Sequence, residues 1–178
     1  MTSAPQLFST LDPPYLVSTT YGLSELTNIS RALERRDLSG GVIRFLRGEK
    51  MRTPAALFDE IAAALQFPYY FGENWAALDE CIQDLDWLPG RGYLFIILQS
   101  HIVLRDGPEE DFAVFLRILD SACRFWAKGD TGGKPWDKPP TPCHVIMQCA
   151  PEEEPALIAR AQSAGHTISR LPAAWPPS

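Results

Sequence analysis

Two patterns of apolar residues alternate along this chain. Short runs rich in β-branched and aromatic side chains favour strands, because such side chains suit a pleated sheet. These runs predict strands at residues 15–20, 42–47, 92–98, 144–148 and 167–171. The run GYLFIIL at 92–98 is apolar almost throughout, as expected of a central strand that is covered on both faces.

The segments between these runs carry apolar residues at helical spacing. They predict helices over residues 24–37, 109–128 and 152–163, and two more between Thr53 and Pro68 and between Asn74 and Pro89. Ser24, Thr53 and Asn74 are residue types that cap helix N-termini. Strands that alternate with helices predict an α/β fold, in which helices pack on a mostly parallel sheet.

The composition fits a single domain that lies outside membranes. The chain has 178 residues, of which 46% are hydrophobic, and this is enough for one domain with its own core. It has no run of about 18 apolar residues that could span a membrane, and its N-terminus lacks the pattern of a signal peptide. We therefore expect a soluble, cytoplasmic protein with no membrane partner.

The cysteines and histidines do not match a known metal site or catalytic site. Cys81, Cys123, Cys143 and Cys149 are scattered without a CxxC pair, so we expect reduced thiols, buried for the most part, and no bound metal. The three histidines lie far apart in the sequence, and no GxSxG or HExxH motif is present. No cofactor is predicted.

The overall charge limits the kinds of partner that the protein can attract. The net charge is −6 and the isoelectric point is about 5.0. Nucleic-acid-binding proteins usually carry a basic patch, and the sequence has no run of Lys or Arg. Direct binding of nucleic acid is therefore not expected, whereas an acidic protein steers cationic partners toward itself.

Much of the negative charge falls in residues 67–86, which read FPYYFGENWAALDECIQDLD. This stretch has no Lys or Arg and carries five acids, Glu73, Asp79, Glu80, Asp84 and Asp86. It begins with an aromatic, proline-containing loop and continues into a helix whose inner face is predicted at Trp75, Leu78, Ile82 and Leu85. The outer face then carries residues 76, 79, 80, 83 and 84.

This acidic stretch allows three interpretations. Asp79 and Glu80 could act as an acid–base pair, but a general acid needs burial to raise its pKa, and an outer helix face supplies water instead. The chain is therefore not expected to be an enzyme. A solvated polar face is the plainest alternative. The single sign of the charge and the neighbouring tyrosines favour a surface that binds a basic partner.

The run PYYFGENWAALDECIQDL resembles the barstar family, cytoplasmic inhibitors of secreted microbial ribonucleases. The resemblance extends over about residues 41–150, through the predicted strand VIRFLRG, the helix TPAALFDEIAAALQF, the strand GYLFIILQS and the strand HVIMQCA. It implies a three-stranded parallel sheet packed with helices. Residues 1–40 and 151–178 then form flanking extensions, whose predicted strands can enlarge the sheet to about five strands.

The resemblance also implies which residues contact a partner. By motif position, Tyr70, Gly72, Asn74 and Trp75 fall on the contacts of the family's inhibitory loop, and Glu80 falls on the dominant helix carboxylate. A second helix acid of the family falls on Ala76, and Asp79, one turn later, can restore that charge. Asp84 completes the predicted partner-binding set. An acid that the family supplies from its long helix falls nearest to Arg124.

Two functions are compatible with these residues. The first is an inhibitor or immunity protein that blocks the basic active site of a secreted or polymorphic toxin, a cytotoxic ribonuclease or a related enzyme, by presenting carboxylates in place of RNA phosphates. The second is a non-inhibitory, barstar-like interaction module that uses residues 1–40 and 151–178 as a docking or dimer surface.

Overall fold

Five strands and five α-helices alternate in the computed structural model, which describes residues 4–135 and 137–171. The strands are β1 (Leu16–Thr19), β2 (Val42–Arg47), β3 (Tyr93–Leu98), β4 (Cys143–Gln148) and β5 (Ser169–Arg170). The helices are α1 (Leu23–Arg35), α2 (Pro54–Leu65), α3 (Trp75–Asp84), α4 (Glu109–Lys128) and α5 (Glu154–Ser163).

The strands form one parallel sheet in the order β2-β3-β4-β1-β5. The predicted α/β fold is therefore confirmed, and so is the enlargement of a three-stranded sheet to five strands. Strand β1 is not an edge addition, because it pairs with β4 on one side, Leu16 opposite Val145, and with β5 on the other, Val17 opposite Ser169.

The sheet is covered on both faces. Side chains alternate between faces along a strand, and on one face the strands contribute Val17, Ile43, Leu94, Ile96 and Ile146. Helix α1 joins this cluster through Leu26, Ile29 and Leu33. Helices α2 to α5 pack on the opposite face, against Leu16, Phe95, Ile97, Val145 and Met147. Strand β3 is consequently buried over Tyr93–Ile97, as its apolar run predicts.

Helix starts follow the predicted caps in two of three cases. The Thr53 hydroxyl accepts a hydrogen bond from the Ala56 N–H at 3.3 Å, with Pro54 as the first helical residue. The prediction for α1 was wrong by two residues: the helix begins at Leu23 rather than after Ser24. Gly22 occupies the N-cap position, and the Glu25 carboxylate accepts from the Gly22 N–H at 2.8 Å, so a side chain from inside the helix supplies the missing cap.

The remaining boundaries differ from the predictions by only a few residues. Helix α2 ends at Leu65, before Pro68, because Gln66 adopts a left-handed conformation with φ 54°. Helix α5 begins at Glu154 rather than at residue 152, and β5 is shortened to two residues. All four cysteines are reduced and buried, and the Sγ atoms of Cys123 and Cys143 lie 3.3 Å apart. No helix in the described part of the chain is long and apolar enough to cross a membrane.

A buried histidine ties the N-terminal segment to the sheet. His144 lies in β4 with no exposed surface. Its Nε2 lies 3.0 Å from the Thr10 carbonyl oxygen and its Nδ1 lies 3.1 Å from that of Pro14. A neutral imidazole can donate only one of these hydrogen bonds. Burial lowers the pKa of His144, while the two carbonyls act in the opposite direction, and the lowered pKa indicates that burial dominates.

This lowered pKa makes stability depend on pH. In the unfolded chain the imidazole takes up its proton near its ordinary pKa of 6.5, and in the folded chain only at lower pH. Above about pH 6.5, His144 is neutral in both the folded and the unfolded chain, and its protonation does not affect stability. As the pH falls below this value, the unfolded chain binds a proton more readily than the folded chain, so the free energy of unfolding decreases. We expect the loss between pH 7.5 and about pH 5 to be larger for the wild type than for His144→Gln in urea unfolding. Parallel pH profiles for the two proteins would contradict this assignment.

Candidate partner-binding surface

The loop between α2 and α3 is fixed by Asn74. Its Oδ1 accepts a hydrogen bond from the Ala77 N–H at 2.9 Å, and its Nδ2 donates to the Gly72 carbonyl at 2.9 Å. The first bond caps α3 and the second closes the turn that precedes the helix. Asn74 therefore holds the loop against the helix, and Gly72 is exposed beside it.

The aromatic residues of this loop divide between the core and the surface. Phe67 and Phe71 contact each other edge to face, with ring centroids 4.9 Å apart, and both pack against the core. Tyr69 is fully exposed, and Tyr70 keeps 63% of its surface exposed. The inward phenylalanines thus anchor a loop that presents two tyrosines to solvent, and tyrosine offers a large contact area and a hydroxyl to a partner.

Trp75, which was predicted to contact a partner, is only partly accessible. Its ring lies edge to face against Phe58 at 4.9 Å, and its Nε1 donates to Asp111 Oδ1 at 3.2 Å. These contacts tie the first turn of α3 to α2 and α4. Trp75 therefore positions the helix, and only its remaining exposed edge can meet another protein.

The two central carboxylates lie on the outer side of α3, as predicted. Leu78, Ile82 and the C-cap residue Leu85 are buried beneath them. Glu80 is exposed, and its carboxylate makes no hydrogen bond or ion pair with any other described residue. Asp79 is half-buried, and its Oδ1 accepts from Gln83 Nε2 at 2.9 Å. The side chain of Glu80 is thus available to an external cation, and that of Asp79 is held in place one residue before it.

The C-terminal end of α3 is neutralised in part by a lysine from elsewhere in the chain. Lys138 Nζ donates to the Asp84 carbonyl at 2.5 Å, to Asp84 Oδ1 at 3.1 Å and to Asp86 Oδ1 at 2.5 Å. Asp84 is thus not a solitary acid, although it was predicted from a stretch without basic residues. No local pattern in the sequence predicts this contact, because 54 residues separate Asp84 from Lys138.

The acids at the end of α3 also act on the hydroxyl of Tyr70. Partial loss of surrounding water raises the pKa of its hydroxyl, and the negative charges of Asp84 and Asp86 raise it further.

A family model described as Barstar (barnase inhibitor) matches residues 42–138, more than half of the 178 residues. The chain belongs to the barstar family. No curated protein matches the chain. The barstar segment runs from β2 to the loop after α4, so it contains the Tyr69–Tyr70 pair and all of α3. Known members of the barstar family are inhibitors of ribonucleases rather than enzymes.

Arg124 has an internal role in this barstar-family protein. It pairs with Asp120 at 2.7 Å and stacks over the ring of Tyr15, with its guanidinium carbon 5.4 Å from the ring centroid. Tyr15 immediately precedes β1, which lies outside the matched segment. The basic residue at this position of the long helix is thus used to hold the N-terminal extension.

Proposed function

We propose that this barstar-family protein is a cytoplasmic immunity protein that binds a cytotoxic ribonuclease, or a related toxin with a basic active site, and blocks that site. The observation that carries the proposal is that one loop–helix segment of the barstar match, residues 69–80, presents two exposed tyrosines and an exposed carboxylate, Glu80, that forms no ion pair with another described residue. The proposed contact set is Tyr70, Gly72, Asn74, Trp75, Asp79, Glu80 and Asp84.

The chemistry of this surface suits a ribonuclease active site. Such a site binds RNA phosphates through cationic side chains, and a carboxylate offers the same negative charge and acceptor oxygens to an Arg or Lys. Glu80 and Asp79 are neighbours on a rigid helix, so they can meet such cations without a large loss of conformational freedom. The protein's net charge of −6 speeds association with a basic enzyme.

Within this set the residues differ in what they can contribute. Asn74 shapes the loop and Gly72 leaves space beside it, whereas the polar atom of Trp75 is already bonded to Asp111. Tyr70, Asp79 and Glu80 supply the exposed groups. Asp84 shares its carboxylate with Lys138, so it is the weakest of the proposed charged contacts.

The alternative of a non-inhibitory module with its docking surface on the two extensions has less support. Strand β1 lies inside the sheet between β4 and β5, and α1 packs on one face of the sheet through Leu26, Ile29 and Leu33. These apolar residues of the N-terminal extension are buried within this chain and are not available to dock another protein.

The proposal is tested by inhibition of RNA cleavage. We expect the purified protein to inhibit barnase, or another enzyme in a panel of basic microbial ribonucleases, at a one-to-one ratio. Because charges drive association, raising the salt concentration should slow binding. Absence of inhibition across the whole panel would contradict the proposed function.

A further inference from the structure

Residues 129–135 and 137–141, which follow α4, form a strap that is held against the end of α3. Gly129 starts the strap with φ +71°, and a Cβ atom there would lie 2.7 Å from the Lys138 carbonyl oxygen. Only glycine combines this conformation with so close an approach of two backbone segments. Asp130 and Lys138 then exchange two backbone hydrogen bonds of 2.8 Å, so the backbone of Lys138 is fixed.

The side chain of Lys138 is held as firmly as its backbone. Only 16% of it is exposed, and Nζ lies 5.2 Å from the centroid of the Trp126 ring, where the ring face attracts a cation. Trp126 is itself anchored, since its Nε1 donates to the Ile82 carbonyl at 2.9 Å. The ammonium group of Lys138 therefore contacts three oxygen acceptors at the C-terminal end of α3.

This arrangement divides the acidic face into two unequal parts. At the C-terminal end, one ammonium group offsets part of the charge of Asp84 and Asp86 and occupies an oxygen of each. Further back on the helix, Asp79 and Glu80 have no basic neighbour among the described residues with which they form an ion pair. An approaching cation is therefore attracted more strongly by Asp79 and Glu80, which together carry two uncompensated negative charges, than by the end of α3, where Lys138 leaves one.

We propose that Lys138 is a specificity-determining residue: by pairing with Asp84 and Asp86 it weakens the binding of a partner's cations at the end of α3 and favours Asp79 and Glu80 as the main charged contacts of the ribonuclease-binding surface. This inference rests on the proposed function and sharpens it. The partner that fits has its Lys or Arg side chains opposite Asp79 and Glu80. A basic enzyme whose cations would reach the end of α3 gains less there, because Lys138 already pairs with both carboxylates and offsets half of their charge.

The test uses a fluorescein-labelled arginine hexapeptide, which supplies guanidinium groups without a ribonuclease fold. Fluorescence anisotropy at low salt should show that Lys138→Met binds the peptide about threefold more tightly than Lys50→Met, since an additional exposed ion pair is worth roughly this much. Lys50→Met is the matched control, because it removes one positive charge outside the strap and α3. Lys138→Arg keeps the charge and should bind the peptide as the wild type does.

Equal peptide affinities for Lys138→Met and Lys50→Met would overturn the inference. Lys138→Gln, which keeps a hydrogen-bond donor for the Asp84 carbonyl, is the second variant, to be used if thermal unfolding shows that methionine loosens the strap. A failure of the proposed function would appear separately, as a wild-type protein that inhibits no ribonuclease. The comparison of peptide affinities between Lys138→Met and Lys50→Met needs no ribonuclease, so its result does not depend on that outcome.

Discussion

Replacing Asp79 and Glu80 together by alanine should weaken binding of the inhibited ribonuclease by about a hundredfold or more, because central charged contacts dominate such interfaces. Both residues lie on the outer side of α3, and their removal leaves the buried Leu78, Ile82 and Leu85 in place. The thermal unfolding temperature should therefore change little. Surface plasmon resonance on an immobilised, catalytically inactive ribonuclease measures the change.

A second variant separates the effect of position from the effect of net charge. Glu34→Ala with Glu49→Ala also removes two exposed acids, but outside the tyrosine loop and α3. It should slow association slightly, through the weaker long-range field, and leave the dissociation rate unchanged. If the two double variants weakened binding equally, the protein would attract its partner only by total charge, and the proposed interface would be wrong.

Leu26→Ala should lower the free energy of unfolding by about 2–5 kcal/mol, the usual cost of a large-to-small change in a core. Leu26 has no exposed surface and belongs to the cluster between α1 and the sheet. We propose that residues 1–178 form a single domain in which the extensions and the barstar segment unfold together. Urea unfolding followed by circular dichroism should accordingly show one transition, displaced to lower urea.

Leu23→Ala is the matched control for this change. Leu23 is the first residue of the same helix, but it is 56% exposed, so its truncation should alter the free energy of unfolding by no more than about 0.5 kcal/mol. If Leu26→Ala instead produced two separate transitions, with the second at the wild-type urea concentration, the extensions would unfold independently of the barstar segment.

The fold was largely predictable because local signals agree with the tertiary structure. The run VIRFLR and the helix 109–128 have the predicted boundaries, since the first is flanked by Gly41 and Gly48 and the second by Pro108 and Gly129. Thr53 and Asn74 cap helices as their chemistry predicts. The start of α1 was missed because Gly22 has no capping side chain, and the compensating Glu25 lies inside the helix.

The candidate surface was predictable only in part. Helical spacing placed Asp79 and Glu80 outside and Leu78 and Ile82 inside, which needs no knowledge of distant residues. The contacts of Trp75 with Asp111 and of Asp84 with Lys138 join segments 36 and 54 residues apart. Such pairs depend on how α4 and the strap pack against α3 in the folded protein, and no local sequence pattern predicts this packing.

Competition with an active-site nucleotide tests the central claim most directly. The claim is that Asp79 and Glu80 occupy the phosphate-binding groups of a ribonuclease. The apparent dissociation constant of the complex should therefore increase in proportion to the concentration of a 3′-mononucleotide, once that concentration is well above the nucleotide's own dissociation constant for the enzyme. An unchanged dissociation constant, with nucleotide and inhibitor bound to the enzyme at the same time, would contradict it.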